Sequence, residues 1–234
     1  MYKMKFFAVI LVVFLCSCSG SKVEYLPYDK TRVEGEYYQA MRFFDERNYQ
    51  TALKGFETIA SKYSMYGVAK NAMQMEIFLN FLLEKYEMAI ATAEMYIQYY
   101  PLDRDGMEYA RYITILSNLK LVPDINVTSV YPGKSLDLIR EFAAKHPGSK
   151  YTESVMQKYQ KLSEYIAVNK VIIADRYLKT NNYIVALIEY QNAMQYAKNA
   201  ENSELLKDLD HRINITKNKI ITGKFHESRT QKAQ

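Results

Sequence analysis

The sequence predicts an all-α fold, an α-solenoid of four to five consecutive helix pairs. Three observations predict it. A short phrase recurs along the chain, apolar residues repeat at helical spacing, and helix breakers are scarce. With only 8 Gly and 5 Pro in 234 residues, long uninterrupted helices can form.

The recurring phrase is Asn48-Tyr49-Gln50-Thr51-Ala52, then Lys85-Tyr86-Glu87-Met88-Ala89 at an offset of 37, then Asn182-Tyr183-Ile184-Val185-Ala186. In the first two copies another tyrosine follows 14 positions after the first, at Tyr63 and Tyr100. A weaker fourth copy is Lys134-Ser135-Leu136, which is supported downstream. Ala89 precedes Pro101 by 12 positions, and Ser135 precedes Pro147 by the same 12. A small residue near the start of a second helix lets it approach the first, and the aromatic three positions earlier packs over the turn. Proline then closes the unit, because it cannot continue a helix. These are tetratricopeptide-like features, spaced irregularly at 37, 46 and 51 residues rather than at about 34.

The elements follow in order. Residues 31–46 and 49–62 form the first pair, and 67–85 and 86–99 the second. Ala69, Ala72, Met75, Leu79 and Leu82 lie on one stripe of the second pair's first helix. Asp103 caps the next helix, which runs to about Leu119. Residues 121–133 carry Pro123, Asp124, Asn126, Pro132 and Gly133 and read as a loop inside the third pair, whose second helix is 134–145. Residues 150–180 contain neither Gly nor Pro. There Val155, Tyr159, Leu162, Ile166, Ile173 and Tyr177 predict one long amphipathic helix, ended at Asn181-Asn182 by a left-handed cap. Its partner is 183–198, and 205–222 closes the array. The tetratricopeptide-like domain therefore spans 31–222, and 223–234, with Lys224, Arg229 and Lys232, reads as a disordered basic tail.

Ahead of the helices lies a different kind of chain. Lys3 and Lys5 precede the unbroken apolar run 6–15, as in a secretory signal, and the run is too short for a membrane-spanning helix. Leu15-Cys16-Ser17-Cys18 fits a lipoprotein processing site. Residues 1–17 are the expected signal peptide. Cys18 is the expected lipid attachment residue, bearing N-palmitoyl and S-diacylglycerol groups that anchor the chain to a membrane. Residues 18–30 are the tether. Cleavage before Cys18 leaves no free thiol, which suits an oxidising compartment.

The remaining composition excludes several functions. Removing Lys3 and Lys5 from the net charge of +5 leaves a modest, scattered excess, with no footprint for nucleic acid. His146, His211 and His226 share no metal-ligand spacing, and no cofactor is expected beyond the lipid on Cys18. Neither a phosphate-cradling glycine loop nor a nucleophile elbow is present. Asp103-Arg104-Asp105 reads as helix capping rather than acid–base chemistry. A non-enzymatic binding module is expected. The chain has 22 Tyr and no Trp, so tyrosine supplies the amphipathic packing residues and the candidate binding surface. Candidate partner-binding residues are Tyr38, Tyr49, Tyr86, Tyr99, Lys170 and Tyr183. Of the pairs Tyr37-Tyr38 and Tyr99-Tyr100, at most one member each can face the core.

A lipidated cysteine followed by irregular tetratricopeptide repeats resembles the BamD family of outer-membrane protein assembly factors. The most specific stretch runs from His146-Pro147-Gly148-Ser149-Lys150-Tyr151 through Leu162, Ile166-Ala167 and Ile173-Ala174-Asp175-Arg176-Tyr177 to Asn182-Tyr183. The opening repeats match as well, through Tyr49, Ala52, Phe56 and Tyr63, then Tyr86, Ala89 and Tyr99-Tyr100-Pro101. Two departures stand out: Ser64 replaces a proline, and Lys170 replaces an expected acidic residue. The resemblance implies a subunit of the β-barrel assembly complex, lipid-anchored to the outer membrane and facing the periplasm. Its C-terminal repeats would dock the periplasmic domain of the β-barrel subunit, and its N-terminal repeats would receive unfolded outer-membrane protein clients. The alternative is a pilotin-type tetratricopeptide lipoprotein for pilus or secretin assembly, whose repeats are more regular. A helical-solenoid lytic transglycosylase would need a catalytic lobe, for which the 217 residues left after removing 1–17 have no room.

Overall fold

The computed structural model describes residues 30–122 and 131–232. The described residues form helices throughout, with no strand among them: α1 Lys30–Asp45, α2 Tyr49–Lys62, α3 Gly67–Leu82, α4 Tyr86–Tyr99, α5 Arg104–Lys120, α6 Tyr131–Lys145, α7 Thr152–Lys179, α8 Tyr183–Asn199 and α9 Ser203–Lys232. They pair as α1/α2, α3/α4, α5/α6 and α7/α8, with α9 packed on α8. Cys18 and the leader lie outside the described residues, as does 123–130 within the expected loop.

The recurring phrase has a common structural meaning. Ala52, Ala89, Ser135 and Ala186 are all fully buried. Tyr49 packs on Phe44 with ring centroids 5.7 Å apart, and Tyr86 packs on Phe81 at 5.8 Å. Each aromatic therefore closes over the turn that precedes it. The turns themselves share one geometry. Arg47, Glu84, Asn181 and Glu201 have φ between 56° and 60°. The next amide reaches back to the preceding helix, Asn48 N to Phe43 O at 2.8 Å, Lys85 N to Asn80 O at 2.9 Å and Asn182 N to Tyr177 O at 2.9 Å. This is the Schellman arrangement, which satisfies carbonyls the helix end leaves open. Three of the four left-handed residues are Arg or Glu, for which that conformation costs about 1–2 kcal/mol, so packing on either side enforces the turn.

Four cores succeed one another among the described residues, and α3, α5 and α7 are each shared by two of them. Ala72 and Leu79 of α3 face α1 and α2, while Met73 and Ile77 face α4 and α5. Ile115 of α5 joins Leu136, Ile139 and Phe142 of α6 and Val155, Tyr159 and Leu162 of α7. Farther along α7, Ala167 and Ala174 meet Ala186, Tyr190, Ala193 and Ala197 of α8 and Leu209 of α9. This nearest-neighbour burial is what makes the array a solenoid. The alanine seam lets α7 and α8 lie close. At 28 residues, α7 is about 42 Å long, and its two halves serve different cores.

Several boundaries and faces differ from the sequence expectation. Helix α3 ends at Leu82, not 85, because Glu84 takes the left-handed turn. Helix α6 starts at Tyr131, not 134. Pro132 sits in its first turn, where a missing N–H costs nothing. Leu82 is 40% exposed, so the α3 stripe stops at Leu79. On α7 the buried line passes from Leu162 to Ala167 and Ala174, leaving Tyr177 39% exposed. Helix α9 continues past the expected end at 222 to Lys232, and 233–234 lie outside the described residues.

Candidate functional site

Helix α3 lies against α5 as well as α4. Where they meet the α6–α7 turn, a groove of about 350 Å³ opens. Phe78, Tyr109 and Tyr151 wall it, Lys70 and Lys150 stand at its rim, and Asp103 and Gly106 lie at its floor. Tyr151 is held from behind, stacked on Tyr112 with centroids 4.4 Å apart and planes 14° apart.

The floor is a connected polar network. The Tyr96 hydroxyl donates to the Asp103 carboxylate and accepts from Gln74 Nε2 at 2.6 Å. Asp103 also pairs with Lys70 at 3.2 Å and caps α5 by accepting from Gly106 N at 3.4 Å. The capping reading of Asp103 therefore holds, with a second role in fastening α4 to α5. The hydrogen bond from Tyr96 is the main reason the Asp103 carboxyl lies below its usual range. Burial, reinforced by Asp103, pushes the Tyr96 hydroxyl far above its own. Burial likewise raises Tyr109 in the groove wall. Burial thus favours the neutral form of both hydroxyls. A similar fastening recurs at the other end, where Tyr190 donates to Asp175 and Arg212 reaches both Asp175 oxygens at 2.9 and 3.2 Å. Burial there pushes the Tyr190 hydroxyl up to about 12.

A second link holds the turn that carries Tyr151. Glu108 of α5 is buried and contacts His146 Nδ1 at 3.2 Å and Arg104 at 3.3 Å. Its carboxyl lies below the usual range, chiefly through a hydrogen bond from Ser149. Lys70 is matched by Asp103, and Lys150 lies 5.1 Å from the centroid of the Tyr151 ring with Asp105 also lining the groove. The groove is thus close to neutral, with aromatic walls over a hydrogen-bonded floor. Among the described residues no group of three His, Cys, Asp or Glu could hold a metal ion, and no helix is long and apolar enough to cross a membrane.

None of the six sequence-predicted partner residues lines this groove. Tyr38 and Tyr99 are 76% and 66% exposed on other surfaces. Tyr49 and Tyr86 are occupied at their turns. Tyr183 donates to Asn181 at 2.7 Å and has the Lys219 ammonium 5.6 Å from its ring centroid. Lys170 pairs with Glu189 of α8 at 2.9 Å, so its departure from an acidic residue is matched within the chain. The groove residues Phe78, Tyr109 and Tyr151 escaped sequence reasoning because three different elements bring them together. The Tyr109/Tyr112 spacing was the one available signal.

The family model described as YfiO, outer membrane lipoprotein, matches residues 30–219. The chain belongs to this YfiO family. Two relatives are named outer membrane protein assembly factor BamD. The one from Rickettsia prowazekii (strain Madrid E) is 25% identical over 158 residues, covering 68% of this chain and 62% of the relative. The one from Caulobacter vibrioides is 20% identical over 189 residues, covering 80% and 62%. The matches thus span 62% of the length of each curated relative. YfiO membership makes the chain one of the outer membrane lipoproteins, and the matched region is the whole solenoid from α1 into α9.

Proposed function

We propose that the chain is a non-enzymatic lipoprotein subunit of the complex that inserts and folds β-barrel proteins in the outer membrane. Lipid on Cys18 holds it to that membrane, facing the periplasm. The observation that carries the reading is the near-neutral, tyrosine-walled groove between α3 and α5 in a chain of the YfiO family. An unfolded barrel strand presents alternate apolar side chains to one side. Phe78, Tyr109 and Tyr151 suit those side chains, and the Lys150 ammonium suits carbonyls or a carboxylate between them. The C-terminal half, α7 to α9, is the proposed dock for the periplasmic domain of the β-barrel subunit. The work is positioning: the groove holds a client extended while the docked subunit receives it.

Photo-crosslinking tests the reading. A photo-reactive phenylalanine at Tyr109 or Tyr151 should trap newly exported β-barrel precursors. Adducts with a secretin alone would replace this reading with the pilotin one. Cys18→Ala should abolish palmitate labelling, and labelling that persists would move the anchor elsewhere.

A further inference from the structure

Helix α4 carries a second, shorter repeat. Glu87-Met88 is followed seven positions later by Glu94-Met95, and Ala91 by Gln98. Seven residues make nearly two helical turns, so Met88 and Met95 lie above one another on one face with Ala91 between them. That face is turned to solvent. Met88 is 54% exposed, Met95 41% and Tyr99, four positions beyond Met95, 66%, and Ala91 is exposed as well. From Met88 to Tyr99 the stripe runs about 16 Å. Helix α4 buries Ala89, Ala93 and Tyr96 on its other side, and none of the stripe lines the α3–α5 groove.

Carboxylates border the stripe on both sides. Glu87 and Glu94 each stand one position before a methionine and follow the same seven-residue step. Along the other border Thr92 is buried and donates to Glu76 of α3 at 3.2 Å, and Glu57 of α2 adds its charge beside Glu76. Among the described residues none of these four carboxylates is in an ion pair. Nearby cations are turned to other groups. Lys62 pairs with Glu36 at 2.8 Å and Lys145 with Glu141 at 2.7 Å, Lys85 reaches Gln50 at 3.4 Å, and Arg111, which shares a cleft with Glu94, acts on Glu141. Lys54 of α2 pairs with none of the four. A half-buried Glu76 beside Glu57 is a cost to the free chain that an incoming cation would offset.

Apolar residues at heptad spacing with charge at the flanking positions are the means by which one helix recognises another, and the flanking charges choose the partner. A second copy of this chain is disfavoured by that charge, because α4 laid antiparallel on another α4 sets Glu87 against Glu94. We propose that α4 docks an amphipathic helix of a partner protein. Its apolar seam covers Met88, Ala91, Met95 and Tyr99. Its Lys or Arg residues face Glu87 and Glu94 along one border and Glu57 and Glu76 along the other. Methionine suits such a seam, since its unbranched side chain adapts to the shape laid on it. A segment held in the α3–α5 groove leaves this face of α4 free, so both can be occupied at once.

The probe is a stapled synthetic helix of three heptads with Leu along the seam and Lys at the flanking positions, and its counterpart carries Glu in place of Lys. Fluorescence anisotropy follows each one titrated against the full-length chain in detergent, with detergent alone as the blank. The Lys helix should bind and the Glu helix should not. Glu87→Lys with Glu94→Lys should weaken the Lys helix by about tenfold or more and admit the Glu helix. Met88→Ser with Met95→Ser should weaken the Lys helix by a similar factor. All four replaced side chains are exposed, so the circular dichroism and urea midpoint of these variants should match the unaltered chain. A Lys helix that does not bind, equal binding of both helices, or binding that neither pair of substitutions moves would overturn the proposed dock. Sedimentation as a dimer that Met88→Ser with Met95→Ser disperses would give the stripe to a second copy and overturn it as well.

Discussion

Gly106→Ala is the substitution that most sharply probes the floor of the groove. Gly106 is buried in the first turn of α5. A Cβ built there would lie 2.6 Å from Gln74 Nε2 and nearer still to the Tyr96 hydroxyl and the Asp103 carboxylate. Those three groups are bonded to one another, and Tyr96 is fully buried, so displacing one disturbs all. Overpacking a core costs about 1–3 kcal/mol. Leaving a buried hydroxyl without partners costs about 1–3 kcal/mol more. The better helix propensity of Ala returns under about 1 kcal/mol. The net loss should be about 2–4 kcal/mol, a drop in Tm of roughly 5–15 °C for a chain of this size. Thermal and urea unfolding followed by far-ultraviolet circular dichroism measure it. Gly67→Ala is the control, since nothing lies within 4 Å of a Cβ at that position, and it should be neutral or slightly stabilising. If Gly106→Ala proved as stable as Gly67→Ala, the reasoning about a closed network under the groove would be refuted.

Other perturbations bear on the turns, the charges and the α7–α8 seam. Glu84→Gly relieves a residue at φ 60° and should stabilise the fold by about 0.5–1 kcal/mol. A loss in the same urea titration would contradict the left-handed turn. Asp103 has a depressed folded pKa, so its stabilisation is present at neutral pH and disappears as acid protonates it below about pH 4. Asp103→Asn should flatten that acid limb, and an unchanged limb would assign it to other carboxylates. Glu76 has the opposite sign. Burial raises its folded pKa above the ordinary 4.5, despite the hydrogen bond from Thr92. The folded state then gains stability as pH falls from the raised value toward the ordinary one. Glu76→Gln should therefore stabilise the protein at pH 7, where a lower urea midpoint would count against the reading. Lys170→Glu sets two carboxylates together and should cost about 1 kcal/mol, restored by adding Glu189→Lys. A double variant no better than the single one would deny the pairing.

The repeat phrase made the helix pairs legible because burial of a small residue and closure over a turn are local demands. Ala52, Ala89 and Ala186 could be placed from spacing alone, and Asn181 from its tolerance of left-handed geometry. Arg47 and Glu84 could not be placed, because nothing in their chemistry favours that conformation and only packing imposes it. Tyr177 was misjudged for a related reason: α7 changes cores midway, so a stripe fitted to its first half drifts off the buried face of its second. The groove was less legible still. Phe78, Tyr109 and Tyr151 are separated by 31 and 42 positions and become neighbours only through the stacking of α3, α5 and the α6–α7 turn. Tyr49, Tyr86 and Tyr183 drew attention by recurring, and recurrence marked the turn that every repeat must build.

The central claim is that this solenoid works as one subunit of the outer-membrane barrel assembly complex. Affinity purification of the tagged full-length chain from detergent-solubilised membranes tests it most directly. Recovery of a β-barrel protein bearing periplasmic repeat domains, with unfolded barrel precursors alongside, is the predicted result. Recovery of the chain alone, or with a secretin in place of that barrel protein, would contradict it.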